Sequence, residues 1–292
     1  MFEIDCTVYL NGEYLPLSAA RIPVLDRGFI FGDGVYEVIP VYDRRPFRLA
    51  EHLARLRHSL AGIRLDDPLG ETGWKEVIAR IVATAPWPDQ GVYLQVTRGV
   101  APRDHAFPRD TPATVFVMPM RLEPPPAAHL EQGVAAISAE DTRWSRCDLK
   151  TTSLLANVLL RQLAVDAGCA ETLLVRDGQL IEGSASNVFV VHAGCILAPP
   201  KSHWMLPGVT YDVVLELAAQ LELPHAVRPI AVAEMRAAEE IWLTSSTKEI
   251  TPVVQLDGHP VGDGRPGPLF YRMHAAYQAF KRDVMRAGES AV

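Results

Sequence analysis

Five lysines, Lys75, Lys150, Lys201, Lys248 and Lys281, stand against 23 arginines in this chain of 292 residues. Wherever a generic positive charge suffices the sequence uses arginine, so each lysine invites its own explanation. Lys75 and Lys281 fall in amphipathic helical patterns and read as solvated charges; Lys201 and Lys248 lie in polar loops. Lys150 follows the aromatic and basic run Arg143-Trp-Ser-Arg-Cys-Asp-Leu149 and precedes Thr151-Thr-Ser153, whose hydroxyls suit the cap of a following helix. A lysine amine desolvated near other cations has a lowered pKa, which Schiff-base chemistry requires. Local context alone leaves an ordinary loop lysine open as the alternative. Read the same way, Pro102-Arg-Asp-His105 is a polar loop, Glu182 is a glutamate before a glycine turn, and Ser245 and Ser246 are turn serines after an apolar strand.

The composition narrows the class of chemistry. With 48% hydrophobic and 22% charged residues the chain is long enough for a sizeable core, in one large domain or two smaller ones. Its formal charge of −7 is spread along the sequence, which favours small-molecule substrates over nucleic acid. Cys6, Cys147, Cys169 and Cys195 lie far apart without CxxC spacing, so neither a disulfide framework nor a zinc site is expected; reduced thiols in a cytoplasm are. Apolar runs fall well short of the roughly 20 residues of a membrane helix, so no membrane partner is expected.

The elements that must position these residues follow from periodicity. Strand-like segments at 7–10, 14–17 and 35–42, the first two joined by an Asn11-Gly12 turn, give an N-terminal sheet. Leu49, Leu53, Leu56, Leu60 and Ile63 recur at helical spacing, a second helix covers 74–83, and strands return at 92–97 and 114–118. Three successive prolines at 124–126 remove backbone donors and fix φ, which places a linker at 121–132. Beyond it the pattern gives strands at 134–138, 172–175, 180–181, 188–191 and 241–244, with helices at 153–167, 211–221 and 270–285. The expected organisation is an α/β (α+β) chain with a small N-terminal domain at 1–120 and a larger domain at 133–292.

Taken together, several segments resemble one family. They are Asp26-Arg-Gly-Phe-Ile-Phe-Gly-Asp-Gly-Val-Tyr-Glu-Val38, Glu51-His-Leu-Ala-Arg-Leu56, Val96-Thr-Arg-Gly99, Arg146-Cys-Asp-Leu-Lys150, Glu182-Gly-Ser-Ala-Ser-Asn187, Leu206-Pro-Gly-Val-Thr210 and Thr244-Ser-Ser-Thr-Lys-Glu-Ile-Thr-Pro252. Their order and spacing over nearly the whole chain resemble the fold-type IV pyridoxal-phosphate enzymes, and within them the bacterial D-amino acid aminotransferases. That resemblance implies a two-domain fold whose C-terminal domain carries a barrel-like sheet, and a homodimer.

It also implies roles. Lys150 would be the Schiff-base lysine of pyridoxal 5′-phosphate and the carrier of the substrate proton. Glu182 matches the carboxylate facing the pyridine nitrogen, where a negative charge keeps that nitrogen protonated and the ring an electron sink. Arg55 matches the phosphate-binding arginine; Val209 and Thr210 open a helix whose amides and dipole favour an anion; Ser245 and Ser246 match the remaining phosphate contacts. Arg143 would neighbour the phenolic oxygen. Arg103, His105 and Tyr36 match the group that holds the substrate carboxylate.

The activity implied is ping-pong transamination of D-amino acids such as D-alanine with 2-oxoglutarate or pyruvate. Branched-chain L-amino acid or (R)-amine transamination, and aminodeoxychorismate lysis, are the alternatives on the same fold, and the Arg103-Asp104-His105 run argues against them. Ala185 departs from the serine run expected after Gly183, removing one hydroxyl on the cofactor side. Arg44, Arg45 and Trp204 fall near segments that would border the pocket.

Overall fold

The computed structural model describes residues 5–287, which divide into two compact units. The first holds the residues up to Glu123 together with Leu149–Leu154; the second holds Pro124–Asp148 and the chain from Leu155 onward.

In the first unit, β1 (Thr7–Leu10), β2 (Glu13–Pro16), α1 (Arg27–Phe31), β3 (Gly34–Tyr42), β4 (Arg45–Pro46), α2 (Leu49–Gly62), α3 (Gly70–Thr84), β5 (Gln90–Thr97) and β6 (Thr114–Arg121) follow in order. The strands form an antiparallel sheet in the order β2-β1-β6-β5-β3-β4. Alternation along β3 sends Val35, Ile39 and Val41 into one core with Leu53, Leu56 and Leu60 of α2 and Trp74, Ile78 and Ile81 of α3. Glu37 has the same parity as those apolar residues, so a carboxylate enters the buried face. Tyr36 points to the other face, where it stacks on Tyr93 of β5.

The second unit contains α4 (Ala127–Glu131), β7 (Val134–Glu140), α5 (Leu155–Asp166), β8 (Glu171–Arg176), β9 (Gln179–Gly183), β10 (Asn187–His192), β11 (Cys195–Ala198), α6 (Val209–Gln220), β12 (His225–Val227), α7 (Val232–Arg236), β13 (Glu240–Ser245), β14 (Glu249–Leu256), β15 (His259–Pro260) and α8 (Pro268–Phe280). Its mixed sheet runs β12-β11-β10-β13-β14-β7-β8-β9, with β15 on β14. It curls into a half-barrel that brings β9 back toward β10 around a core of Leu173, Val188, Val190, Ile241 and Leu243.

The linker placed at 121–132 contains a short helix, α4, directly after Pro126. Three expectations need correcting. Thr152 and Ser153, expected to cap the following helix, turn their hydroxyls to the Gly32 carbonyl, donating at 3.0 and 2.9 Å. Lys281 is no solvated charge; it lies in a π-helical turn after α8 and pairs with the buried Glu249 at 2.6 Å. Lys150, expected in the larger domain, belongs to the first unit. The last has a physical basis in Gly62, the final residue of α2: any Cβ there would collide with the Leu149 side chain, so the glycine lets the 149–154 segment lie against that helix.

Candidate active site

In the first unit three contacts fix the Lys150 backbone. Its amide donates to Ser59 Oγ at 3.0 Å, its carbonyl accepts the Tyr36 amide at 2.9 Å, and Thr151 forms an antiparallel bridge with Val35. The Lys150 amine lies 4.3 Å from the centre of the Tyr36 ring, a cation on an aromatic face. Ser59 shares one stripe of α2 with Arg55 and His52, offset from the apolar stripe of Leu53, Leu56 and Leu60.

That polar stripe meets Glu37. Arg55 donates from Nε to Oε1 at 2.7 Å and from Nη2 to Oε2 at 2.8 Å, and His52 Nδ1 lies 2.9 Å from Oε2. Burial pushes the Glu37 carboxyl upward, but the Arg55 guanidinium and the His52 bond outweigh it and hold the group well below the usual carboxylate range. Burial likewise drives the His52 imidazole down against the pull of Glu37, and the positive charges of Arg55 and Lys150 lower it further. His52 is therefore neutral with Nδ1 as donor, and its buried Nε2 has no hydrogen-bond partner among the described residues.

Arg103 and His105 share a different contact in this unit. The Arg103 guanidinium lies 5.5 Å and the His105 ring 5.3 Å from the Phe31 ring centre. Tyr36 instead faces Lys150 and Tyr93. The three residues expected at the substrate carboxylate thus fall in two sets of contacts.

In the second unit the centre is Glu182 on β9. Oε1 accepts Arg143 Nη1 at 2.6 Å; the Leu206 amide approaches both oxygens at 3.3 and 3.2 Å; Asn187 Nδ2 donates to Oε2 at 3.2 Å. Burial pushes this carboxyl up to about 7, against the lowering effect of Arg143 and the Leu206 amide. Arg143 in turn donates to Asp141 from Nε and Nη2 at 2.9 and 3.0 Å, and to the Trp204 carbonyl at 3.0 Å. Arg176 donates to the Asp141 and Arg143 carbonyls and stacks on Trp204 at 3.9 Å. Arg143, the expected neighbour of the phenolic oxygen, thus also braces Glu182.

Asn187 draws the rest of this half together. It is paired in register with Thr244 at the end of β13, it donates to the Leu206 carbonyl at 3.0 Å, and Gly208 touches its side chain so closely that a Cβ has no room. Gly208 is the N-cap of α6 and offers no side-chain cap, so the amides of the first turn, at Val209 and Thr210, have no intrahelical acceptor. Ser245 ends β13 and accepts the Lys248 amide at 3.1 Å; Ser246 follows in the same turn. Thr244 Oγ1 is buried with no hydrogen-bond partner among the described residues.

Sequence reasoning picked out Lys150, Arg55, Glu182, Val209, Thr210, Ser245 and Ser246 but gave no role to Glu37, His52, Ser59, Asp141, Asn187 or Thr244. The usable signal was polar residues at helical spacing beside an apolar stripe, as at positions 52, 55 and 59.

This architecture and donor set belong to a known class. A family model described as amino-transferase class IV matches residues 34–256, and the chain belongs to that family, whose cofactor is pyridoxal 5′-phosphate. The chain is 39% identical over 273 residues to the D-alanine aminotransferase of Bacillus licheniformis, covering 93% of this chain and 95% of that one. It is 34% identical over 275 residues to that of Staphylococcus haemolyticus, covering 94% and 97%. Among solved structures, the Escherichia coli branched-chain amino acid aminotransferase has a TM-score of 0.89 at 25% identity over 94% of each chain. A second solved branched-chain amino acid aminotransferase, from T.th. and with pyridoxamine 5′-phosphate, has a TM-score of 0.89 at 26% identity, covering 94% of this chain and 93% of that one.

Each unit holds groups whose chemistry suits that cofactor. The first offers a primary amine for its aldehyde and a guanidinium for its phosphate; the second offers a buried carboxylate for its ring nitrogen and an uncapped helix N-terminus for its phosphate. The buried Thr244 hydroxyl, with no hydrogen-bond partner among the described residues, lies beside Asn187 in register and is a further donor.

Proposed function

We propose that this chain is a pyridoxal-phosphate-dependent transaminase of D-amino acids, D-alanine among them, which passes the amine to 2-oxoglutarate or pyruvate in a ping-pong cycle. The observation that carries the reading is the Lys150 amine held on Tyr36 in the same unit in which Arg103 and His105 both lie against the Phe31 ring. The D-alanine aminotransferase relatives, at 34–39% identity over nearly the whole chain, support the same substrate class.

Bound pyridoxal phosphate supplies an aldehyde for the substrate amine and an electron-poor ring that stabilises negative charge at Cα. The Lys150 amine would hold the cofactor through its aldehyde and, once displaced by substrate, carry the Cα proton. Glu182, braced by Arg143 and Asn187, keeps the ring nitrogen protonated. Arg55, oriented by Glu37, holds the phosphate with the α6 amides at Val209 and Thr210, Ser245 and Ser246. Arg103, His105 and Tyr36 hold the α-carboxylate so that the Cα hydrogen of a D-amino acid, and not of its mirror image, points at Lys150. We place the enzyme in the cytoplasm as a homodimer whose 103–105 loop serves the carboxylate. None of the helices of the described residues is long and apolar enough to cross a membrane.

A second reading, branched-chain L-amino acid transamination, is favoured by the structural likeness to the two solved enzymes. Purified protein assayed with D-alanine and with L-leucine, each with 2-oxoglutarate, separates them. Oxo-acid product from D-alanine alone supports the first; product from L-leucine alone replaces it with the second.

A further inference from the structure

The segment from Asp26 to Asp33 carries buried charge that the chemistry above does not use. Asp26 Oδ1 accepts the Gly28 amide and the Thr97 hydroxyl, each at 2.8 Å, and Oδ2 accepts the Thr114 hydroxyl at 2.7 Å. It caps α1 and ties that helix to the ends of β5 and β6. The next residue, Arg27, is buried. Its Nε donates to Asp33 Oδ2 at 2.8 Å, while Nη1 donates to the Asp104 carbonyl at 2.6 Å and the Ala106 carbonyl at 3.3 Å. Those two carbonyls flank His105.

Arg98 grips the same Asp33 carboxylate from Nε at 2.8 Å and Nη2 at 3.1 Å. It also donates to the Ile63 and Arg64 carbonyls and covers the Phe107 ring at 3.7 Å. Phe31 completes the cluster: its ring centre lies 4.8 Å from the Arg27 guanidinium, on the ring that Arg103 and His105 also share. The side chains of residues 102–107 are exposed except where they meet these groups. With no apolar core of its own, the loop takes its shape from charge-assisted bonds to its carbonyls and from rings on its flanks.

We infer that Arg27 is a positioning residue for substrate selection: with Asp33 as its anchor, it fixes the backbone on both sides of His105 and so sets where Arg103 and His105 present their donors. The inference rests on the reading that Arg103 and His105 bind the substrate carboxylate. Carboxylate binding by two side chains on an exposed loop loses affinity when the loop must be ordered on binding, so prior ordering by Arg27 lowers KM while leaving the proton transfer at Lys150 untouched.

The test is steady-state kinetics of the holoenzyme with D-alanine and 2-oxoglutarate in Arg27→Lys, Arg103→Ala and the double variant. Lysine keeps the charge but cannot span Asp33 and the two carbonyls together. Arg27→Lys is expected to raise KM for D-alanine roughly tenfold with kcat within about twofold and the cofactor absorbance unchanged. In the Arg103→Ala background the same change is expected to add less than about twofold, because both act through one contact. Should Arg27→Lys fail to fold, Arg27→Met, which keeps an unbranched buried stem without the guanidinium, takes its place. If Arg103→Ala raises KM while the Arg27 variants leave it unchanged, or if the two losses multiply in full, the inference is overturned and the carboxylate reading stands. If Arg103→Ala leaves KM unchanged, the carboxylate reading fails and the inference with it.

Discussion

Glu37 takes two nitrogens of Arg55 on its two carboxylate oxygens, at 2.7 and 2.8 Å, from a position on β3 that is fully buried. The pair fixes the direction of the guanidinium proposed to hold the cofactor phosphate. Glu37→Gln removes the carboxylate charge from this buried pair, and breaking a buried pair costs about 3–5 kcal/mol. The expected outcome is a lower unfolding midpoint and at least roughly tenfold weaker cofactor binding, read by absorbance titration of apoenzyme. The pH dependence has a definite sign. Because the folded-state value of Glu37 is depressed, its contribution is present above the unfolded value and is lost as pH falls below that value toward the folded one. Urea unfolding from neutral pH into acid should show this loss in the natural chain and lack it in Glu37→Gln.

Glu182 behaves in the opposite sense. Burial raises it to about 7, so in the protein without cofactor it is largely protonated below that pH. A ring nitrogen that arrives already protonated needs the ionised carboxylate, so its binding below about pH 7 releases the Glu182 proton. Cofactor affinity is expected to fall as pH drops through 7, and Glu182→Gln is expected to bind more weakly and without that dependence. Titration of apoenzyme at several pH values on both sides of 7 checks it; a natural chain with flat affinity across that range would remove the ring-nitrogen role.

These two carboxylates show what the sequence conveys and what it withholds. β1, at 7–10, and the run of leucines in α2 were legible because period-2 and period-3.6 patterns reflect which face meets the core. The strands β11 and β14 were not, since Cys195–Ala198 is a short apolar run without alternation and β14 contains Pro252 in a setting that reads as a loop. Lys150, Glu182 and Arg55 were named through the resemblance, not from periodicity. The partners of those residues were hidden because they lie far away in sequence: Glu37 is 18 residues from Arg55, and Arg143 is 39 from Glu182. Nothing local in Arg143 says that its guanidinium turns toward Asp141 and Glu182.

Lys150→Ala removes the proposed covalent anchor and proton carrier together. Its backbone contacts with Ser59 and Tyr36 do not involve the amine, so the fold is expected to survive. Turnover should fall by at least about three orders of magnitude, in line with losing a nucleophile and a general base at once. The protein-linked absorbance band of the cofactor should vanish while noncovalent binding persists. Retained turnover at the level of the natural chain would end the assignment of Lys150.

The turn after Glu182 offers a gain-of-affinity test. Ser184 and Ser186 both donate their hydroxyls to the buried Glu171, the latter at 2.9 Å, and the Gly183 amide donates to the Ser186 carbonyl at 2.7 Å. Asn157 adds a bond to the Ser184 carbonyl at 2.9 Å. The turn is therefore braced on both sides, and within it Ala185 is exposed. A hydroxyl at that position meets no steric obstacle from the brace, so Ala185→Ser should leave the unfolding midpoint of apoenzyme unchanged. If the turn borders the bound cofactor, the new donor is worth about 0.5–1.5 kcal/mol, a few-fold tighter binding. Equilibrium titration of Ala185→Ser against the natural chain decides it: a few-fold fall in the dissociation constant places residue 185 at the cofactor, and an unchanged constant turns that side chain away from it.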